Sequence, residues 1–172
     1  MNVNPGRWLS ALFLCTLLAI PASCGRGSSA LAETDQAQIY ASVIRQLRHD
    51  QGGPSVGYIM GHTDDTAGTA SGDSDSKVLP ESLKEAVLTA LAGTPGEYTW
   101  VSQFSEVPHD AVFSGESCQI ILGNIRLQKD GSVHVAASLF YGGTGGGGTT
   151  YVLESRNGVW TVTGTTGPVW IS

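Results

Sequence analysis

The chain predicts an α+β domain, with helices grouped ahead of a run of strands. Three observations carry that expectation. Apolar residues recur at helical spacing in two stretches, around residues 39–47 and 83–91. From residue 97 the apolar period switches to two, as in half-buried strands. Asn157-Gly158, set between two alternating stretches, is a strong hairpin signal. The expected architecture is two helices packed on one face of a curved, mostly antiparallel sheet of about five or six strands.

The chain begins with a short polar segment carrying Arg7, followed by 13 uncharged, largely apolar residues from Trp8 to Ile20, ended by Pro21. A permanent bilayer span needs about 20 apolar residues, so this length fits the core of an export signal. Ala22-Ser23-Cys24 resembles the end of a bacterial lipoprotein signal, in which the cysteine is lipidated and becomes the new N-terminus. Pro21 stands where that class usually has an aliphatic residue. Ala30-Leu31-Ala32 before Glu33 is a competing site of the ordinary secretory kind. On the first alternative the boundaries are a signal peptide over 1–23, a Gly/Ser-rich flexible tether over 24–34 and one domain over 35–172. Either cut leaves Cys118 without an intramolecular partner. Only cleavage between Ile20 and Cys24 without lipidation would leave a pair. Beside Ile120, Ile121 and Leu122, Cys118 reads as a small buried hydrophobe.

The full chain has 9 basic and 15 acidic residues, a formal charge of −6. Removing residues 1–23 takes away Arg7 alone, leaving 8 basic against 15 acidic and a charge of −7. With no Lys/Arg cluster, nucleic acid is excluded as a partner. Electrostatic docking on anionic lipid is excluded too, so the expected membrane partner is reached through an acyl anchor at Cys24.

The first helix is expected from Thr34 or Asp35, as cap, to about Arg48, with Ile39, Tyr40, Val43, Ile44 and Leu47 on one face. Gly52-Gly53-Pro54 stops it and Val56–Met60 reads as a short strand. Residues 61–77 hold no apolar side chain larger than Ala, which predicts a mobile loop. Pro80 and Glu81 open the second helix, Leu83, Val87, Leu88 and Leu91 form its apolar face, and Gly93 ends it. Strands follow over 97–104, 118–127, 132–141, 149–154 and 159–163, with a last edge strand over 167–171. An NTF2-like or cystatin-like cone is the nearest named shape, as an analogy alone.

Thr149–Glu154, Asn157-Gly158-Val159-Trp160 and Gly167–Ser172, with Ile39–Leu47 further back, resemble small uncharacterised exported bacterial proteins, many of them lipoproteins. The resemblance implies a fold and a compartment and no chemistry.

The glycine run after Tyr141 is the most unusual segment, and Tyr141, Gly142, Gly143 and Gly145 are the candidate ligand-binding residues. It joins two strands and contains no Lys, which argues against a phosphate loop. It reads as a wide hairpin connection or a place of close backbone approach, or as a flexible lip that closes over a ligand. His62, Asp64 and Asp65, with His109 and Asp110, have the ligand types but not the spacing of a metal site, and read as solvated loop polarity. Asp73-Ser74-Asp75 starts like a calcium loop, but Lys77 and a missing glycine reject it. Gly115-Glu116-Ser117-Cys118 is not a nucleophile elbow, and His134, with the parity of Ala136 and Ser138, completes no triad. No catalytic residue, metal site or cofactor is therefore assigned. Tyr98, Trp100, Phe104, Tyr141, Tyr151, Trp160 and Trp170 are expected in the core, or in part lining a pocket. The expected function is a non-enzymatic binding or interaction module outside the cytoplasm, its ligand a small molecule or a protein. The alternative is a small extracytoplasmic enzyme, metal-assisted through His62, Asp64, His109 or Asp110.

Overall fold

The computed structural model describes residues 31–69, 75–142 and 145–172. The segment expected as an export signal, Cys24 and most of the expected tether lie outside them. Leu31–Ser172 form one compact unit.

Helix α1 spans Glu33–Gln51, starting inside the segment expected as tether. The expected cap at Thr34 or Asp35 is not the one found. No side chain caps the helix; the Gln36 N–H donates to Ala32 O at 3.0 Å and its side-chain amide to Leu31 O at 2.8 Å. Asp35 sits in the first turn, where the helix dipole favours it, and accepts the Trp160 indole N–H at 3.1 Å. Ile39, Tyr40, Val43, Ile44 and Leu47 are all buried, and Gly52 closes the helix in the left-handed conformation.

Strand β1 (Val56–Thr63), α2 (Glu81–Leu91) and β2 (Glu97–Val101) form a strand–helix–strand unit whose two strands pair in parallel. On its other side β1 pairs in parallel with β3 (Ser117–Leu122). The remainder is antiparallel. β5 (Val133–Tyr141) joins β3 to β6 (Gly145–Arg156), β7 (Val159–Ile171) follows β6, and the short β4 (Arg126–Leu127) flanks β5. The result is an α+β domain with an open, mixed seven-stranded sheet in the order β2-β1-β3-β5-β6-β7. The antiparallel part runs from β3 to β7, and the parallel pairing of β1 with β2 and β3 was not expected. The α2 crossover is long enough to bring β2 back parallel, and β1 takes an interior position between two later strands.

Three local expectations need correction. Residues 61–69 are no loop: β1 runs on through Thr63, and Asp65–Gly68 form a 3₁₀ turn whose Ala67 and Gly68 are buried. Backbone pairing supplies the ordering that apolar burial could not, through Thr63 N–H to Lys77 O and Asp64 N–H to Leu122 O, both 2.8 Å. Residues 70–74 are outside the described set. A five-residue helix α3 (His109–Phe113), preceded by a 3₁₀ turn at Phe104–Glu106, occupies a stretch expected as loop. Residues 159–163 and 167–171 belong to one strand, β7, with register shifts against β6. The Asn157-Gly158 turn is as expected, with φ of 54° and 77° at its two positions.

The main core gathers α1, Leu83, Val87 and Leu91 of α2, and alternate residues of β3 and β5: Cys118, Ile120 and Leu122, then Val133, Val135, Ala137 and Leu139. Met60, Val101, Val107 and Val112 form a second cluster, joined by Tyr58 and Ile121. Ile121 alternates with the core residues of β3, so this second cluster lies on the opposite sheet face.

Candidate functional site

The glycine run is strand rather than a wide connection. Gly145–Gly148 pair residue by residue with Tyr141–Ser138 of β5. Their missing side chains leave room for neighbours on both faces. A Cβ on Gly146 would meet the Phe140 ring at 2.9 Å, and one on Gly147 the Gln51 side chain at 2.9 Å. A Cβ on Gly148 would overlap the Ala67 carbonyl oxygen and press on the Trp170 indole nitrogen at 2.6 Å. That nitrogen donates to Ala67 O at 3.0 Å, and the Trp170 ring lies 5.1 Å from that of Phe140. Close backbone approach, one of the expected readings, is what the glycines serve here.

Beside this strand, on the sheet face opposite the main core, lies a cleft of about 660 Å³. Its floor is Gln119 and Ile121 of β3 with Phe140 of β5. Val112 and Phe113 of α3 form one wall, with Phe104 beside them; Tyr141, Gly145 and Ser172 form the other. Phe104 and Phe113 are about half exposed, at 52% and 50%, so two aromatic rings stand at the rim in contact with water. Phe113 is held by stacking on His109 at 4.0 Å. Gly142 N–H to Val112 O ties the two walls together, Ser172 N–H to Gly146 O at 2.9 Å holds Ser172 on β6, and Tyr141 O–H to Gln51 O at 3.2 Å fixes its wall to α1.

No charged side chain is among the described residues lining the cleft. Its one side-chain amide is Gln119; the residue is 6% exposed, and its amide opens onto the cleft without a hydrogen-bond partner among the described residues. Ser117 and Ser138, two residues along β3 and β5 from Gln119 and Phe140, bury hydroxyls without partners among the described residues. Such a lining holds apolar surface and offers a directional contact at Gln119. It provides neither a nucleophile with its base nor a general acid.

Of the expected ligand-binding residues, Tyr141 and Gly145 line the cleft, Gly142 ties its wall to α3, and Gly143 lies outside the described residues. Phe104, expected in the core or lining a pocket, is at the rim. Phe113, Phe140, Gln119 and Ile121 were missed. Phe140 and Gln119 did carry a signal: each alternates with core residues of its own strand, and Phe140 shares the parity of His134, Ala136 and Ser138.

Of the residues considered for metal binding, His109 and Asp110 are exposed on α3, His62 lies in β1 bridged to Val78, and Asp64 and Asp65 are engaged elsewhere. Asp64 Oδ1 caps the 3₁₀ turn, accepting Thr66 N–H at 2.9 Å and Thr66 O–H at 2.7 Å. Asp65 Oδ1 accepts the Asn124 N–H at 2.8 Å; Oδ2 accepts the Asn124 amide at 2.9 Å and Arg126 at 2.6 Å. Burial alone would raise the Asp65 pKa, but the hydrogen bonds from Arg126 and Asn124 and the Arg126 charge outweigh it and hold the carboxyl below its ordinary value. His134 borders this ion pair in a small polar depression with Thr150. Among the described residues no three His, Cys, Asp or Glu side chains gather as metal ligands. Cys118 is fully buried, and burial pushes its thiol up to about 11 despite the nearby Arg48 charge. The chain matches no family model, no curated protein and no solved structure.

Proposed function

We propose that the protein is an exported, lipid-anchored binding module whose apolar cleft takes up a small, largely apolar molecule outside the cytoplasm. The observation that carries the reading is the cleft itself: about 660 Å³, apolar, with Phe104 and Phe113 half exposed at its mouth. Ligand sites fall in the range of about 300–1,000 Å³ and pair apolar walls with a few placed polar groups. Two helices over the opposite face of a curved sheet would hold the floor rigid while this face stays open. The export signal and the lipoprotein-like Ala22-Ser23-Cys24 ending support the compartment and the acyl anchor.

Titration with the fluorescent apolar probe N-phenyl-1-naphthylamine tests the binding function. The purified protein is expected to give a saturable rise in emission, weakened roughly tenfold, about 1.4 kcal/mol, in a Phe104→Ala/Phe113→Ala variant. Both rings are half exposed, so the variant retains its core. A non-saturable response, or one unchanged in the variant, refutes the reading. For the anchor, intact-mass analysis of the membrane fraction is expected to show acylated Cys24 at the N-terminus. A soluble form beginning at Glu33 contradicts it.

A further inference from the structure

The cleft floor says more about its ligand than that it is apolar. We propose that the site selects a neutral, flat molecule with an amide-like edge, a carbonyl beside an N–H, which pairs with the Gln119 side chain; this rests on the binding reading above.

Gln119, on β3 beside Ile121 and opposite Phe140, is 6% exposed as a residue, and its amide, which opens onto the cleft, makes no hydrogen bond among the described residues. A ligand seated over this amide must either replace the hydrogen bonds that solvent gives it or leave it unpaired, at a cost of about 1–3 kcal/mol. A primary amide presents a carbonyl acceptor and an N–H donor side by side. A ligand with the reciprocal pair satisfies both at once, whereas an ether or ester satisfies the N–H alone. No basic side chain lines the cleft among the described residues, so an anionic ligand finds no counter-charge and loses its hydration. Flatness is inferred from the aromatic rings of Phe104, Phe113 and Phe140 in the lining, against which a flat ring system packs.

The experiment compares 2-naphthamide, methyl 2-naphthoate, 2-naphthoate and 2-isopropylnaphthalene by calorimetry or by displacement of N-phenyl-1-naphthylamine. These probes share one ring system and differ at one edge. In the wild type, 2-naphthamide is expected to bind about tenfold tighter than methyl 2-naphthoate, although the ester is more apolar, and 2-naphthoate is expected to bind weakest. In Gln119→Leu, 2-naphthamide is expected to lose about tenfold while 2-isopropylnaphthalene binds as well or better. The wild-type comparison stands even if that variant fails to fold. Ester binding as tight as amide binding overturns the inference, as does an equal change of amide and hydrocarbon in the variant. Either result leaves the apolar cleft intact as a binding site. If no neutral probe binds the wild type, the binding reading itself fails, and the inference with it.

Discussion

Asp65 shows how single side chains hold the polar side of this domain. Its carboxylate ties the 3₁₀ turn to Asn124 and Arg126, residues close to 60 positions further along the chain. The Asp65 side chain is 11% exposed and that of Arg126 60%, so screening discounts the ion pair and the hydrogen bonds carry most of the effect. Asp65→Ala is expected to cost about 1–3 kcal/mol in urea denaturation near neutral pH. Because the folded pKa lies below the unfolded one, this contribution is present above the ordinary carboxylate range and is lost as pH falls through the folded value. The gap between wild type and variant should therefore narrow as pH falls below the ordinary carboxylate range. A gap that stays constant into acid would show that the carboxylate's charge is not what stabilises the turn.

At the scale of elements, what was legible in the sequence was local and what was not depended on distant partners. Both long helices and the Asn157-Gly158 hairpin announce themselves through spacing and turn chemistry within a few residues. Nothing near Val56–Met60 says that β1 will lie between β2 and β3, because parallel partners are chosen across long connections. The glycine run misled for a related reason. Composition reads it as a connection, whereas Phe140, Gln51, Ala67 and Trp170, none of them adjacent to it, require bare backbone at those places. Gly148→Ala is accordingly expected to destabilise by about 2 kcal/mol or more, since the Ala67 carbonyl and the Trp170 indole must both move. Gly164→Ala in β7 meets open space and is expected to change stability by less than about 0.5 kcal/mol. Thermal denaturation of the pair separates close packing from a generic glycine effect. Equal changes would mean that the glycine run tolerates side chains.

For the whole molecule, the sheet divides the labour. One face is buried in the main core with α1, and the other is covered in part by α3 and the 3₁₀ turns, with the cleft left between α3 and the glycine-rich strand. Alternation makes this division readable in principle: Gln119, Ile121 and Phe140 are polar or apolar residues on the strand parity that does not enter the main core. The wall they face came from α3, five residues long and too short to leave a helical period. Hence the sequence pointed to Tyr141 and Gly145 but could not supply the opposite wall.

The most direct measurement is an amide NMR titration of the isotope-labelled protein with N-phenyl-1-naphthylamine. The account predicts saturable shifts concentrated at Val112, Phe113, Gln119, Ile121, Phe140, Tyr141 and Gly145. Shifts centred instead on the shallow groove around Ser42, Arg45 and Trp160, or scattered without saturation, would contradict it.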